Sequence, residues 1–87
     1  MKRFTEKVLR IVMSIPRGTT MTYAEVARRS GSPRAFRAVG AVMKKNYNPD
    51  VPCHRVIRSD GKLGEYNRGG TPAKARLLRM EGVLIER

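Results

Sequence analysis

Eighty-seven residues are enough for one domain with a small core, and not for two. Hydrophobic residues form 40% of the chain, too many for a disordered tail, and no apolar run is long enough to span a membrane. Nineteen Lys and Arg against seven Asp and Glu give a net charge of +12, a field that attracts polyanions through phosphate neutralisation and counterion release.

A solubilising basic surface is the alternative reading of that charge. Basic membrane-surface binding is disfavoured, because the chain has no Trp and only two Phe. The charged start, Met1 to Lys7, lacks the apolar stretch and cleavage site of a signal peptide, so a cytoplasmic location is expected. One cysteine excludes an internal disulfide. One Cys and one His also cannot supply the usual four ligands of a structural zinc site. A lone cysteine is then either a buried small hydrophobe or a reactive thiol.

Phe4, Val8, Ile11, Val12 and Ile15 recur at helical spacing, which predicts an amphipathic helix over residues 4–15. Pro16-Arg17-Gly18 ends it. Thr22 before Tyr23-Ala24-Glu25 has the pattern of a capping box, in which Thr22 caps and Glu25 reaches back; a second helix should run from Tyr23 to Arg29. Ser30-Gly31-Ser32 reads as a turn. Ser32-Pro33 reads as a cap and first helical residue, opening a third helix from Pro33 to Lys45 with Phe36, Val39, Val42 and Met43 on one side.

Two short helices around a glycine turn, the second bearing Arg34, Arg37, Lys44 and Lys45, outline a helix-turn-helix. Residues 48–52 read as loop, and Arg55-Val56-Ile57-Arg58 followed by Ser59-Asp60-Gly61 predicts a small β-hairpin wing through Leu63. Thr71-Pro72 should open a last helix over Ala73 to Met80, with Ala75, Leu77, Leu78 and Met80 inward.

Val51-Pro52-Cys53-His54-Arg55-Val56 sets the only Cys beside the only His. Arg55 and Arg58 supply positive charge for a thiolate, and an imidazole can accept the thiol proton. Adjacent side chains of an extended segment point to opposite faces, so the pair meets only if the chain bends after Pro52, or through a water. On spacing alone, a catalytic and a structural cysteine are both open.

The segment Pro52-Cys53-His54-Arg55-Val56 resembles the active-site motif of the O6-alkylguanine-DNA alkyltransferases. Gly18-Thr19-Thr20-Met21-Thr22-Tyr23-Ala24-Glu25-Val26-Ala27 is similar to the family's helix-turn-helix entry, and Arg37-Ala38-Val39-Gly40 to its recognition helix. Leu63-Gly64, Tyr66, Lys74, Leu77, Leu78, Glu81 and Gly82 follow its C-terminal block in order. The resemblance covers nearly the whole chain as a single domain, residues 1–87, without a counterpart of the family's N-terminal domain.

The resemblance implies a mainly α, winged helix-turn-helix domain that flips O6-alkylguanine out of double-stranded DNA and moves the alkyl group irreversibly to Cys53. Extrusion is needed because O6 is out of a thiolate's reach inside the duplex. His54 would act as base through a water, Glu81 would orient it, and Tyr23 would donate a proton to guanine O6. Asn46 would brace the active-site turn, with Asn48 as rival. Arg37 would be the intercalating finger, with Arg34, Ala38, Gly40 and Arg55 also facing DNA. Tyr66 would wall the base pocket, Met43 would border it, and backbone groups of Cys53, Val56 and Asn67 would contact the base edge.

No cofactor or metal is implied, and the expected state is a monomer. Taken singly, Tyr23 reads equally as a packing residue, Arg37 as a phosphate contact and Glu81 as a surface carboxylate. Glu65 departs from the family pattern, which has Gly or a small polar residue there. Asn67-Arg68-Gly69-Gly70 is one residue longer than usual. The alternative function is that of alkyltransferase-like proteins, which replace the nucleophile, recognise the lesion and pass it to other repair proteins. A helix-turn-helix transcriptional regulator is a third reading, and it leaves Pro52-Cys53-His54-Arg55 without a role.

Overall fold

The computed structural model describes residues 2–84. In chain order it has α1 (Lys2–Met13), β1 (Met21–Thr22), α2 (Tyr23–Arg29), α3 (Phe36–Lys45), a 3-10 turn (Cys53–Arg55), β2 (Val56–Ile57) and α4 (Gly70–Met80). The expected mainly helical, winged-helix-like architecture forms. Val8 and Val12 of α1, Val26 and Ala27 of α2 and Val39 and Met43 of α3 bury their faces together. Val51, Cys53 and Val56 close the same cluster, so the candidate nucleophile is part of the core wall. A fully buried aliphatic side chain of this kind contributes roughly 1.5–3 kcal/mol. No helix among the described residues is long and apolar enough to cross a membrane.

The helix boundaries differ from the sequence expectation where short-range hydrogen bonds compete. α1 stops at Met13, because Ser14 Oγ donates to Ile11 O (2.6 Å) and Ile15 N to Val12 O (3.1 Å), tightening the end into a turn. Thr22 does cap α2, accepting from Glu25 N at 3.0 Å. Glu25 does not reach back; its carboxylate is taken by Arg28 and Arg29. α3 begins at Phe36 rather than Pro33, since Ala35 N bonds Ser32 O and Ser32 N bonds Ala27 O, holding 32–35 as a turn against α2. Phe36 is half exposed, whereas Val39 and Met43 are buried. α4 begins at Gly70, and Thr71 spends its hydroxyl on Gly64 O (3.0 Å) instead of capping. Met80 is exposed; Ala75 and Leu78 face inward.

The wing is a turn rather than a strand pair. β2 pairs in parallel with β1, Met21 against Val56 and Thr22 against Ile57. Beyond β2 the chain folds back through Arg58 N to Lys62 O (3.0 Å), with Asp60 Oδ1 accepting from Lys62 N (3.0 Å). The returning limb, Lys62-Leu63-Gly64, lacks the β-branched residues that would sustain a second strand. The parallel pair has α2 and α3 as its crossover, so the helix-turn-helix and the Cys53 turn are joined through one small sheet.

Candidate functional site

Pro52 adopts φ −79° and ψ 67°, and the chain bends there into the 3-10 turn that carries Cys53, His54 and Arg55. Cys53 N bonds Val51 O (2.8 Å), Arg55 N bonds Pro52 O (2.9 Å), and the Val56 N–H closes on Cys53 O. The bend removes the geometric objection to Cys53 and His54 acting together. Cys53 is 5% exposed and lies on the wall of a cleft of about 1680 Å³.

His54 Nε2 lies 2.8 Å from Glu81 Oε2. A carboxylate only accepts, so Nε2 carries the hydrogen and the neutral ring keeps its Nδ1 lone pair for another proton. Glu81 is held from a second side by Arg55, whose Nε and Nη2 donate to Oε1 and Oε2 at 2.9 Å each. These Arg55 bonds, then the His54 bond, lower the Glu81 carboxyl to about 2 against the opposing effect of burial. The backbone on either side is clamped as well. Arg17 Nη2 donates to Met80 O (3.3 Å), and Gly18, at φ +90°, sits where a Cβ would lie 3.0 Å from Glu81 O.

Arg55, expected to face DNA, does not. Its Nη1 donates to Ile15 O (2.8 Å) while Nε and Nη2 hold Glu81, and its side chain is 15% exposed. It braces the Cys53 turn against α1 and α4.

Tyr23 and Tyr66 stand on the cleft wall with Cys53. Burial, then the charge of Cys53 and of Glu65, raises the Tyr23 hydroxyl above its ordinary pKa and keeps it a proton donor. Tyr66 meets the His54 ring edge-on at 6.4 Å. Gly64 is at φ +83°, and a Cβ there would come within 3.3 Å of the Tyr23 hydroxyl, so glycine lets the loop close over Tyr23.

The residue that sequence reasoning left without a role is Lys74. It is wholly buried, with Nζ 3.3 Å from Glu65 O and 5.6 Å from the Tyr23 ring centroid. Burial pushes it down to about 8, opposed by the charge of Cys53. Its one sequence signal is the i, i+4 register with buried Leu78, which puts a lysine on an inward face.

Asn46 is buried at the end of α3, and its Oδ1 accepts from Asn48 N (3.2 Å); Asn48 is exposed. Of the two, Asn46 occupies the inside of the turn leading to Cys53. Asn67 lines the cleft and its Nδ2 also donates to Met43 O, Lys44 O and Asn46 O (3.2, 2.7 and 2.7 Å), tying the last carbonyls of α3 to the cleft loop. No sequence pattern announced that. Val56, expected to meet the base edge through its backbone, buries its side chain in the core and gives its N–H to Cys53 O, and Ile57 after it lines the cleft. Met43 and Gly40 do border the cleft. Arg34, Arg37 and Ala38 are exposed outside it, on and just before α3.

Known proteins share this fold. Residues 3–83 match the family model described as 6-O-methylguanine DNA methyltransferase, DNA binding domain. The methylated-DNA–protein-cysteine methyltransferase of Methanothermobacter thermautotrophicus is 54% identical over 84 residues, which is 95% of this chain and 46% of that protein. Its Mus musculus counterpart is 44% identical over 82 residues, 92% of this chain and 39% of that one. The chain thus spans less than half the length of these curated relatives. The Mycobacterium tuberculosis OGT in complex with DNA superposes with a TM-score of 0.85 at 42% identity, covering 91% of this chain and 48% of that one. Schizosaccharomyces pombe Atl1, in complex with damaged DNA containing O6-carboxymethylguanine, superposes at 0.89 and 37% identity over 100% of this chain and 82% of its own. By the family model and by these identities, the chain belongs to the family of 6-O-methylguanine DNA methyltransferase DNA-binding domains.

Proposed function

We propose that this domain extrudes O6-alkylguanine from duplex DNA and transfers the alkyl group irreversibly to Cys53. The observation that carries the reading is the 2.8 Å contact between His54 Nε2 and Glu81 Oε2 beside a cysteine on a cleft wall. In the reaction, His54 Nδ1 takes the thiol proton through a water. The sulfur attacks the alkyl carbon and forms the S–C bond as the C–O6 bond breaks. The electron pair passes to guanine O6, and Tyr23 supplies the proton that completes guanine, regaining one from the solvent side. Lys74 holds positive charge near both Tyr23 and the thiolate. The thioether has no second cysteine to relieve it, so each molecule acts once.

Arg37, exposed at the start of α3, fills the stack where the guanine left. Ala38 and Gly40 are small and let the backbone approach, and the +12 charge supplies the phosphate attraction. Intact mass after incubation with O6-methylguanine duplex tests the reading. One methyl group on Cys53, absent in Cys53→Ala, is expected; labelling elsewhere or turnover overturns it.

A second reading, lesion recognition without transfer, is favoured by the likeness to Atl1, whose structure holds damaged DNA and superposes with a TM-score of 0.89 at 37% identity. In that case the same duplex binds and the mass of Cys53 stays unchanged.

A further inference from the structure

Among the described residues, one carboxylate lines the cleft that holds Cys53: Glu65. The reaction above gives it no part. Its place is set by the backbone on both sides. Its carbonyl accepts from Lys74 Nζ at 3.3 Å, and that lysine stands 5.6 Å from the Tyr23 ring centroid. The preceding residue, Gly64, is at φ +83°, and a Cβ there would press to 3.3 Å from the Tyr23 hydroxyl. The Glu65 side chain is exposed, and no ion pair among the described residues includes it, whereas Arg58 on the same rim is paired with Asp60 at 2.7 Å. The Glu65 charge reaches Tyr23 and helps to raise its hydroxyl, after burial and Cys53.

If Tyr23 protonates O6 and Cys53 attacks the alkyl carbon, the O6 substituent lies between them, beside Glu65. We infer that Glu65 selects the charge of the O6 substituent, admitting neutral alkyl groups and disfavouring anionic ones such as carboxymethyl. The inference rests on the proposed reading of the domain as one that recognises O6-alkylguanine. The bond exchange is the same for both substituents: S–C forms, C–O6 breaks, and the electron pair leaves on guanine. Only the charge carried past Glu65 differs. A like charge beside a protein wall is repelled more strongly than in bulk solvent. Lys44, Arg58, Lys62 and Arg79 also line the cleft and attract an anionic substituent, as does the buried Lys74 beside Tyr23; they are the same in wild type and variant, so their effect cancels when the two proteins' rate ratios are compared.

The test uses the 87-residue chain and two duplexes differing only in O6-methylguanine or O6-carboxymethylguanine. The rates of Cys53 alkylation are read by intact mass. Glu65→Gln should raise the carboxymethyl-to-methyl rate ratio about tenfold, and Glu65→Lys should raise it further. Asp50→Asn removes one negative charge from an exposed loop position outside the cleft and should leave the ratio as in the wild type. An unchanged ratio in Glu65→Gln overturns the inference. If neither duplex alkylates Cys53, transfer itself is refuted, and the ratio of dissociation constants for the two duplexes decides about Glu65. A shift toward the carboxymethyl duplex in Glu65→Gln supports selection by charge, and identical affinity ratios in wild type and variant overturn it.

Discussion

Arg55 and Glu81 meet through a two-armed contact, Nε to Oε1 and Nη2 to Oε2, both at 2.9 Å, with the third guanidinium nitrogen on Ile15 O. The carboxylate is 8% exposed, so its charge depends on those partners. Removing the guanidinium leaves a nearly buried carboxylate and an orphaned carbonyl. Arg55→Ala should cost about 3 kcal/mol of stability, measured by urea unfolding. The salt dependence of DNA binding by the folded variant should stay at the wild-type slope, because Arg55 neutralises no phosphate. A lower slope would return Arg55 to the DNA interface.

Glu81 also predicts a pH response. Its folded pKa of about 2 lies below the unfolded carboxyl value of about 4.3, so its contribution is fully present above that value and is lost as pH falls toward 2. The contribution is about 2 kcal/mol after allowance for solvent screening. The stability gap between wild type and Glu81→Gln should therefore shrink steadily from pH 5 to pH 2. A gap independent of pH would mean that packing, not charge, is what Glu81 provides.

Lys74 runs the other way. Burial lowers it to about 8 from an unfolded value of about 10.4, so below pH 8 the folded state carries a charge it disfavours. Stability should rise as pH climbs from about 8 to 10.4. Lys74→Met removes that cost and should stabilise the domain at pH 7 by about 2 kcal/mol while slowing alkylation of Cys53. Thermal unfolding and intact mass together read both effects. A stabilised variant with unchanged rate would make the lysine a structural relic of the cleft rather than part of its chemistry.

Arg37 separates extrusion from chemistry. Arg37→Ala should weaken repair of duplex DNA tenfold or more (~1.4 kcal/mol or above), with reaction of free O6-benzylguanine little changed, because only the duplex requires the base to leave the stack. Equal losses on both substrates would refute the finger.

Much of this was legible in the sequence because it is local. The Thr22 cap, the i, i+4 faces of α1 and α3, and the Cys53-His54 pair all follow from neighbours along the chain. Glu81 was reachable only through resemblance, since nothing local ties it to His54 twenty-seven residues earlier. What could not be read depends on long-range partners. Arg55 looked like a DNA-facing cation because its charge is visible and its acceptors, Ile15 O and Glu81, are not. Val56 pairs with Met21 and turns its side chain into the core, and no local pattern names that partner. The hairpin failed for a similar reason: β2 found its partner in β1, far earlier in the chain, which periodicity cannot announce.

The forty-residue separation between Arg55 and Ile15, and the later position of Glu81, also set an order of events on the ribosome. Cys53 is synthesised before the carboxylate that orients its histidine. Until the chain has been extended through Glu81 and α4 has docked, the thiol belongs to a nascent segment whose base has no partner. On the proposed reading the reactive centre is thus completed only after the helix-turn-helix has been made, and a truncated translation product would carry the cysteine without the means to use it.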